Sequence, residues 1–284
     1  MIKPVLQDDA LVADVARTRV DKKNFYLWWL GQSGFLLQWQ GKHLLFDPYL
    51  SDSLTKKYAA SDKPHVRMTE LAVTPDKLNF IDAVTSSHNH TDHFDPDTLR
   101  PLLKANPNMK VVVPEAIRIV SASRLFRKPD ELIGSDAGLV KPVAGFRIQG
   151  IPAAHNDLEK DEYDQYKFLG YLIEFGPWRI YHAGDTIHYE GMENWIRPFK
   201  VDVALLPMNG DRPERRVAGN LDGPQAAKLA KDVNARLVIP MHYEMFDFNT
   251  ATPDEFVAAC QQLGQPHCVV RCGERWSSAD LPPK

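Results

Sequence analysis

The sequence of 284 residues has few cysteines, no long apolar run and no excess of positive charge. Its three cysteines lie near the C-terminus, and an odd number without a disulfide framework fits a reducing compartment. No stretch approaches the ~20 consecutive apolar residues that cross a bilayer. Residues 1–19 also lack the apolar centre of a signal peptide. These absences predict a cytoplasmic protein without a membrane partner.

The charge balance excludes a second class of partner. The formal net charge is -3, so no broad basic surface is expected and nucleic acid is not predicted as a partner. The hydrophobic fraction of 44% can form a substantial core, and the charged fraction of 25% is ordinary for a globular protein. Because no internal repeat or low-complexity segment is evident, we expect one domain over residues 1–284.

Against these absences stands one dense motif, HNHTDH at residues 88–93. Three imidazoles and one carboxylate lie within its six positions. Neutral imidazole together with carboxylate suits Zn, Fe or Mn. Residues 80–85 before the motif are typical of a half-buried strand, and Asp95 and Pro96 after it favour a helix start. The motif is therefore predicted at the C-terminal end of a strand, where ligands bind in layered α/β folds.

Three more candidate ligands follow apolar, strand-like runs elsewhere in the chain. His155 ends the apolar stretch that includes 151–154, Asp185 comes shortly after 178–181, and His242 directly follows the strand-like run 238–241. An isolated HxHxDH string occurs by chance often enough to carry little weight alone. The recurrence of ligand-type residues after four separate strands makes a metal site the better interpretation.

The order of these motifs resembles the metallo-β-lactamase superfamily, over about residues 25–276. Within it the chain most resembles the branch of L-ascorbate-6-phosphate lactonase-like proteins. Three stretches carry this closer resemblance: residues 27–31, 201–205 and 234–242. Asn89 stands where those lactonases tend to have Asp, and it is also similar to the HNHxDH motif of N-acyl-phosphatidylethanolamine phospholipase D-like proteins. The resemblance implies a four-layer αββα sandwich of the α/β (α+β) class.

The residue pattern independently favours two facing sheets with helices outside. Residues 25–30 and 35–39 predict a hairpin around the turn 31–34, and residues 171–175 and 178–182 predict another. A helix is expected from Gly223, and a second from a capping box at residues 252–255 to about Leu263 and Gly264. Residues 56–76 have no clear period, which predicts a long surface loop or partial lid near the site.

By the resemblance, two divalent ions, Zn or Mn, would share seven ligands. The first site would use His88, His90 and His155, the second Asp92, His93 and His242, and Asp185 would bridge them. A carboxylate can span two cations because it has two oxygens, whereas an imidazole normally cannot. Seven ligands are also too many for one tetrahedral ion. A metal-bound hydroxide is then the expected nucleophile.

Other residues receive supporting roles. Asp92 is the expected catalytic residue, which orients the nucleophile and passes a proton to the leaving group. The resemblance makes Asp47 a buried carboxylate that accepts a hydrogen bond from a ligand imidazole. Five residues are candidates for substrate contacts, although a solvated charged loop or a core aromatic explains them equally well: Arg212, Arg215, Arg216, His188 and Tyr243. Structural or surface roles are expected for His43, His65, His182 and His267, and buried-thiol roles for Cys268 and Cys272.

Three functional hypotheses follow. The first is a metal-dependent hydrolase of a small ester or lactone, including a sugar-phosphate lactone such as L-ascorbate 6-phosphate. The second is a phosphodiesterase acting on a phospholipid headgroup or a cyclic nucleotide. The third is a non-catalytic metal-binding protein of the same fold. A small-molecule substrate is the expected partner, and a homo-oligomer is compatible with the sequence.

Overall fold

Two mixed β-sheets form the centre of the computed structural model, which describes residues 1–283. Within these residues the strands are β1 (Phe25–Gly31), β2 (Gly34–Trp39), β3 (Lys42–Phe46), β4 (Ala83–Thr85), β5 (Lys110–Pro114), β6 (Ile133–Ser135), β7 (Val140–Val143), β8 (Phe146–Pro152), β9 (Leu169–Phe175), β10 (Trp178–His182), β11 (Val203–Pro207), β12 (Leu237–Met241) and β13 (Arg275–Ser277). Both predicted hairpins are present, as β1–β2 and β9–β10.

The first sheet has the order β13-β1-β2-β3-β4-β5-β6, and the second has the order β12-β11-β10-β9-β8-β7. Strands β3 to β6 pair in parallel, and so do β10 to β12. Parallel strands are usually covered on both faces, which explains why β11 and β12 are apolar throughout. The parallel parts of the two sheets bring several strand C-termini to one edge of the molecule.

Aromatic side chains join the facing surfaces of the two sheets. The Phe25 ring on β1 lies edge-on to Phe175 on β9, with centroids 5.3 Å apart. Phe46 on β3 stacks on His182 on β10 at 5.1 Å. All four side chains are buried. Such ring pairs add ~0.5–1.5 kcal/mol each beyond the area they bury, so this interface contributes strongly to the core.

Helices cover the outer faces and complete four layers. They are α1 (Asp9–Thr18), α2 (Ser53–Lys57), α3 (Pro96–Ala105), α4 (Arg118–Arg124), α5 (Met192–Ile196), α6 (Gly223–Asp232) and α7 (Asp254–Leu263), with single 3-10 turns at Pro75–Lys77, Glu115–Ile117, Pro129–Glu131, Arg197–Phe199, Pro213–Arg215 and Ser278–Asp280. Helices α1 and α4 pack on the first sheet, and α5 and α6 pack on the second. The predicted αββα sandwich is confirmed.

The helix ends show where local sequence rules hold. Helix α6 begins with a capping box in which Asp222 and Gln225 bond reciprocally. Helix α7 ends at Leu263, and Gly264 takes the left-handed conformation with φ 61°, as predicted. The capping box predicted at residues 252–255 is wrong. The Thr252 hydroxyl donates to the Asp254 carboxylate instead of accepting from a backbone N–H, and no side chain caps this end.

The segment 56–76 has little regular structure, as predicted, and two isolated bridges fix its course. Arg67 pairs with Phe246, and Thr69 pairs with Ile2. Lys57, Tyr58 and His65 from this region line a cavity described below. Within residues 1–283, no helix is long and apolar enough to cross a membrane.

Candidate metal centre

The predicted ligands gather at the edge where the strand C-termini meet. The HNHTDH loop follows β4, and His155 follows β8. Asp185 follows β10, and His242 follows β12 directly. Chain segments far apart in sequence therefore deliver imidazole and carboxylate groups to one place. The sheet topology produces this convergence, because β8, β10 and β12 run in the same direction.

Three overlapping groups of ligand atoms lie within 4.8 Å of one another: His88, His90 and His155; His88, His93 and Asp185; and Asp92, His93 and His242. Asp185 lies between the two predicted sites. Its Oδ1 is 3.2 Å from His93 Nε2, and its Oδ2 is 3.6 Å from His155 Nε2 and 3.3 Å from His242 Nε2. This carboxylate contacts histidines of both predicted sites, as a bridging ligand must.

Several of these atoms are buried without a hydrogen bond. Nε2 of His88, Nε2 of His93 and Oδ1 of Asp185 have no hydrogen-bond partner. Buried polar atoms are nearly always satisfied, because leaving one unpaired costs ~1–3 kcal/mol. A divalent cation would satisfy all three atoms, and histidine nitrogen with carboxylate oxygen is a donor set for Zn or Mn. The residues present therefore fit the metal that the sequence predicts.

The charge states of the side chains also suit a cation. Burial lowers the pKa of His88 well below its usual value and also lowers the pKa of His155. Both rings are therefore neutral and can bind a metal ion through a ring nitrogen. Burial opposes charge on Asp185, yet His242 and His93 hold the pKa of this carboxyl well below its usual range. Burial also opposes charge on His93, but the carboxylates of Asp185 and Asp92 raise the pKa of this imidazole well above normal. The negative charge that favours a proton on His93 would equally favour a cation beside this ring.

Asp47, at the end of β3, orients two of the histidines. His93 Nδ1 donates to Asp47 Oδ2 at 2.6 Å, which turns Nε2 toward the other ligands. The Ser87 hydroxyl donates to the same carboxylate, and the Ser87 backbone N–H donates to Oδ1 at 2.9 Å. His88 Nδ1 can then donate to Ser87 Oγ at 3.0 Å. The predicted hydrogen bond between Asp47 and a ligand imidazole is present, and Ser87 extends it to a second ring.

His155 is oriented by a different partner. Its Nδ1 donates to the Gly219 carbonyl oxygen at 3.0 Å, and the Gly219 N–H donates to Asn156 Oδ1 at 3.0 Å. This pair of bonds ties the His155 loop to residues just before α6. It leaves Nε2 of His155 facing Asp185.

A glycine lets two ligand loops approach closely. Gly184 has φ +62°, and a Cβ there would lie 2.5 Å from Ser87 Cβ. Any side chain at this position would separate Asp185 from His88, the residues that follow Gly184 and Ser87. Asp47 and His242 also adopt left-handed conformations, with φ 37° and 65°. Strain of this kind, ~1–3 kcal/mol per residue, concentrates at functional sites.

Gln32 is a site residue that the sequence analysis missed. Its side chain is fully buried in the β1–β2 turn, where it has φ 50°. Its amide Nε2 donates to Asp92 Oδ2 at 2.8 Å and lies 3.1 Å from His242 Nε2. The backbone carbonyl oxygen of Gln32 accepts from the backbone N–H of His242 at 3.0 Å. In the sequence, Gln32 lies in the Gly31–Gly34 turn. A tight hairpin accounts for the two glycines, so the Gln32 side chain was given no role.

Arg124 on α4 was also missed, and it holds the HNHTDH loop in place. Its guanidinium donates to the carbonyl oxygens of Asn89 and Phe94, the latter at 2.8 Å. It also lies 3.5 Å from Thr91 Oγ1. Nothing in the local sequence of α4 indicates this contact, which spans about thirty residues of chain.

The ligands form one side of a cavity of about 630 Å³. Its lining residues are Leu54, Lys57, Tyr58, His65, Asn89, His90, Thr91, Asp92, Arg124, His155, Asp185, Val217, Ala218, His242, Phe246, Phe248 and Asn249. Asp92, Asp185 and His242 meet this space directly. A substrate in the cavity would therefore reach the candidate metal centre.

The three arginines predicted to contact substrate do not line this cavity: Arg212, Arg215 and Arg216. The Arg215 guanidinium donates to the carbonyl oxygens of Asn209 and Thr250. Arg216 forms an exposed ion pair with Asp62 at 2.9 Å. Their neighbours Val217 and Ala218 reach the cavity instead.

The two other predicted substrate contacts also lie outside the lining. His188 is exposed and pairs with Glu193 at 2.7 Å. Tyr243 is buried, stacks on Trp29 at 4.3 Å and donates from its hydroxyl to the Val270 carbonyl oxygen. Both have structural partners that account for their positions.

Most of the histidines and cysteines for which structural or surface roles were expected have such roles. His43 and His182 are buried in the core, and His267 caps a turn near Gln265. Burial raises the pKa of the Cys272 thiol to about 12, and no cysteine joins a ligand group within residues 1–283. His65 differs from the expectation, because it lines the cavity.

The sequence of this chain matches the family model described as the β-lactamase superfamily domain over residues 26–242. The chain belongs to the metallo-β-lactamase superfamily. A UPF0173 metal-dependent hydrolase of Caldivirga maquilingensis is 28% identical over 91% of this chain and 99% of the relative. A second, from Thermoplasma acidophilum, is 28% identical over 85% of this chain and 93% of the relative.

Solved structures agree on the fold of this superfamily member. Igni18, a metallo hydrolase from Ignicoccus hospitalis, has a TM-score of 0.65 and 24% identity, covering 90% of this chain and 98% of that chain. An isothiocyanate hydrolase from Delia radicum gut bacteria has a TM-score of 0.69 and 22% identity, covering 88% and 98%. These matches establish the superfamily fold, and the lactonase-like branch stays a prediction.

Proposed function

We propose that this protein is a metal-dependent hydrolase that cleaves a small ester or lactone. The observation that carries the proposal is Asp185, which contacts histidines of both groups and lies among three buried ligand atoms that lack a hydrogen bond: His88 Nε2, His93 Nε2 and its own Oδ1. The names of the UPF0173 relatives support metal-dependent hydrolysis. The cavity beside Asp92 and Asp185 supports a small-molecule substrate.

Two divalent ions, Zn or Mn, would be held by His88, His90 and His155 on one side and by Asp92, His93 and His242 on the other, with Asp185 shared between them. Divalent ions in such a site can lower the pKa of bound water from 15.7 to about 7 and polarise a carbonyl oxygen. No serine or cysteine nucleophile is then required.

Asp92 is the proposed proton carrier. It is half-buried, it lines the cavity, and the Gln32 amide fixes its Oδ2. His93 and His242 help to keep this carboxyl ionised at neutral pH against the effect of burial, since they lower its pKa. From this position Asp92 can accept a proton and deliver it to the leaving oxygen, while Asp47 and Gly219 hold the ligand rings in position.

The side chains of the cavity offer little positive charge of their own for a phosphodiester. Lys57 and Arg124 are the cationic side chains among the described lining residues. Arg124 already donates to two backbone carbonyls of the HNHTDH region, which leaves Lys57 as the available cation. A phosphodiester would therefore depend on the divalent ions for charge neutralisation, whereas an uncharged ester or lactone would need them only to polarise its carbonyl.

The test combines metal analysis with a substrate panel. Protein loaded with excess Zn or Mn should approach two ions per chain, and Asp185→Asn should lower that number. Simple lactones and esters should be turned over faster than bis-p-nitrophenyl phosphate. Faster phosphodiester cleavage would favour a phosphodiesterase. Full metal loading without turnover of any ester, lactone or phosphodiester would favour the non-catalytic alternative.

A further inference from the structure

We infer that the cavity has a second part, a subsite for an aromatic or similarly flat apolar group of the substrate. The inference deepens the proposed function and rests on it, because the group must belong to the molecule that is hydrolysed. Four side chains of the cavity lining carry the inference, and we call them the aromatic wall: Tyr58, His65, Phe246 and Phe248.

The aromatic wall is one continuous set of rings. His65 stacks on Tyr58 with centroids 4.2 Å apart and planes 16° apart. Phe248 and Phe246 lie edge-on to His65 at 4.6 Å and 5.2 Å. Since each ring contacts a neighbour, the four side chains form a preorganised surface. A further ring can join such a surface by stacking or edge contact at little conformational cost.

Phe246, Tyr58 and Phe248 belong to a small apolar cluster with Tyr49, Leu54 and Met245, and its outer rings remain partly exposed. Tyr58, His65 and Phe248 are half-buried, whereas Phe246 is buried behind them. Leu54 adds an aliphatic contact to the same lining. An apolar surface that opens into a functional cavity indicates contact with an apolar ligand more than structural packing.

The aromatic wall shares its cavity with the reactive groups. Asp92, Asp185 and His242 line the same space. A substrate whose scissile carbonyl approaches Asp92 can therefore direct its substituent to the aromatic wall. The metal ligands would therefore act on the scissile bond of the substrate, and the aromatic wall would select the substituent next to that bond.

The ring faces do not match the hydroxyl groups of a sugar, although the Lys57 ammonium group lies 5.0 Å from the Tyr58 ring centroid. Hydroxyl groups placed on ring faces would lose water without gaining hydrogen bonds. The predicted phosphate-binding arginines lie outside the lining, as described above. The aromatic wall therefore directs the search for a substrate toward aryl-substituted esters and lactones.

The experiment uses two lactones that differ in one substituent, γ-phenyl-γ-butyrolactone and γ-valerolactone, with the metal-loaded protein. We expect kcat/KM to be ~10-fold or more higher for the phenyl compound, a gain typical of burying one aromatic ring. Phe248→Ala and Tyr58→Ala should each remove most of this preference. The readout is the ratio of the two kcat/KM values, so a variant that lowers both rates equally would keep the preference and contradict the subsite.

Two variants serve as controls. Tyr163→Ala removes an exposed aromatic side chain outside the cavity lining and should keep the preference. Phe248→Leu keeps an apolar side chain without a ring, and it should retain part of the preference for the phenyl lactone. Metal content and thermal unfolding of every variant are compared with the parent, so that loss of folding is separated from loss of the subsite.

A binding measurement separates this inference from the proposed function. Calorimetry compares 4-phenylbutyrate with butyrate on the metal-loaded protein, and we expect ~10-fold tighter binding of the phenyl acid, lost in Phe248→Ala. Tighter binding without turnover of either lactone would support the subsite and contradict the hydrolase proposal. Turnover of both lactones at equal kcat/KM, with equal binding of the two acids, would overturn the subsite and leave the hydrolase proposal intact. Equal binding without turnover would overturn both.

Discussion

The two sides of the cavity are built in different ways. The ligands lie at the ends of β4, β8, β10 and β12, and buried hydrogen bonds from Asp47, Ser87 and Gly219 fix three of the rings. The aromatic wall lies outside the strands, on segments held by ring contacts and isolated bridges. The sheets therefore fix the positions of the reactive groups, while the loops above them are free to change specificity.

The largest effect is expected from Asp92→Asn on the ligand side. The change nearly preserves shape but removes a ligand charge and a proton acceptor, so hydrolysis should fall by ~100-fold or more. Steady-state kcat/KM on a simple lactone measures the loss, and circular dichroism checks the fold. Asp247→Asn, an exposed residue beside the aromatic wall, is the matched control and should remain within about 2-fold. Near-parent turnover by Asp92→Asn at full metal loading would remove Asp92 from the mechanism.

The next largest effect concerns the support beneath the ligands. Asp47→Asn keeps hydrogen-bonding capacity but removes the charge that orients His93, so metal affinity should fall by ~10–100-fold. Competition with a chelator of known affinity measures this change directly. The aromatic wall variants should show parent affinity in the same assay. An unchanged metal affinity in Asp47→Asn would show that the ligand side needs no such support.

The sequence predicted the ligand side better than the aromatic wall, for a physical reason. A ligand directly after an apolar run, such as His242, is placed by its strand, and strands are legible from local periodicity. His65 and Phe248 lie in segments without a period, and their meeting depends on bridges between distant segments. Local sequence does not encode such contacts.

The residues missed at the metal centre show the same limit. The Gln32 side chain contacts Asp92, which is 60 residues away in the sequence, and His242, which is 210 residues away. The hairpin that carries Gln32 was predicted, but the direction of its side chain depends on a left-handed backbone in the turn. Thr252 shows the opposite case. Its local motif predicted a helix cap, but its hydroxyl bonds to the Asp254 carboxylate instead of capping the helix.

Gln32 offers a test of intermediate size. Gln32→Leu removes the hydrogen bond to the Asp92 carboxylate, and a charge-assisted bond of ~1.5–3 kcal/mol corresponds to a loss of about 10-fold or more in kcat/KM. Gln40→Leu is a close control, since Gln40 occupies the next hairpin turn with the same φ of 50° but is exposed. Equal activity of the two variants would show that the amide does not position Asp92.

The smallest effect is expected at Arg216, just beyond the part of the loop that reaches the cavity. Its guanidinium pairs with Asp62, and both side chains are exposed, at 61% and 77%. Exposed pairs contribute only ~0–1 kcal/mol, so Arg216→Ala should change kcat/KM by about 2-fold at most. The same small change is expected on a phosphorylated lactone and on its plain counterpart, because the side chain is not among the cavity lining residues. Arg127→Ala, in another exposed pair with Glu131, is the control. A loss of 10-fold or more confined to the phosphorylated lactone would extend the substrate site past Val217 and Ala218 to this loop. It would also restore the sugar-phosphate hypothesis, which the aromatic wall disfavours.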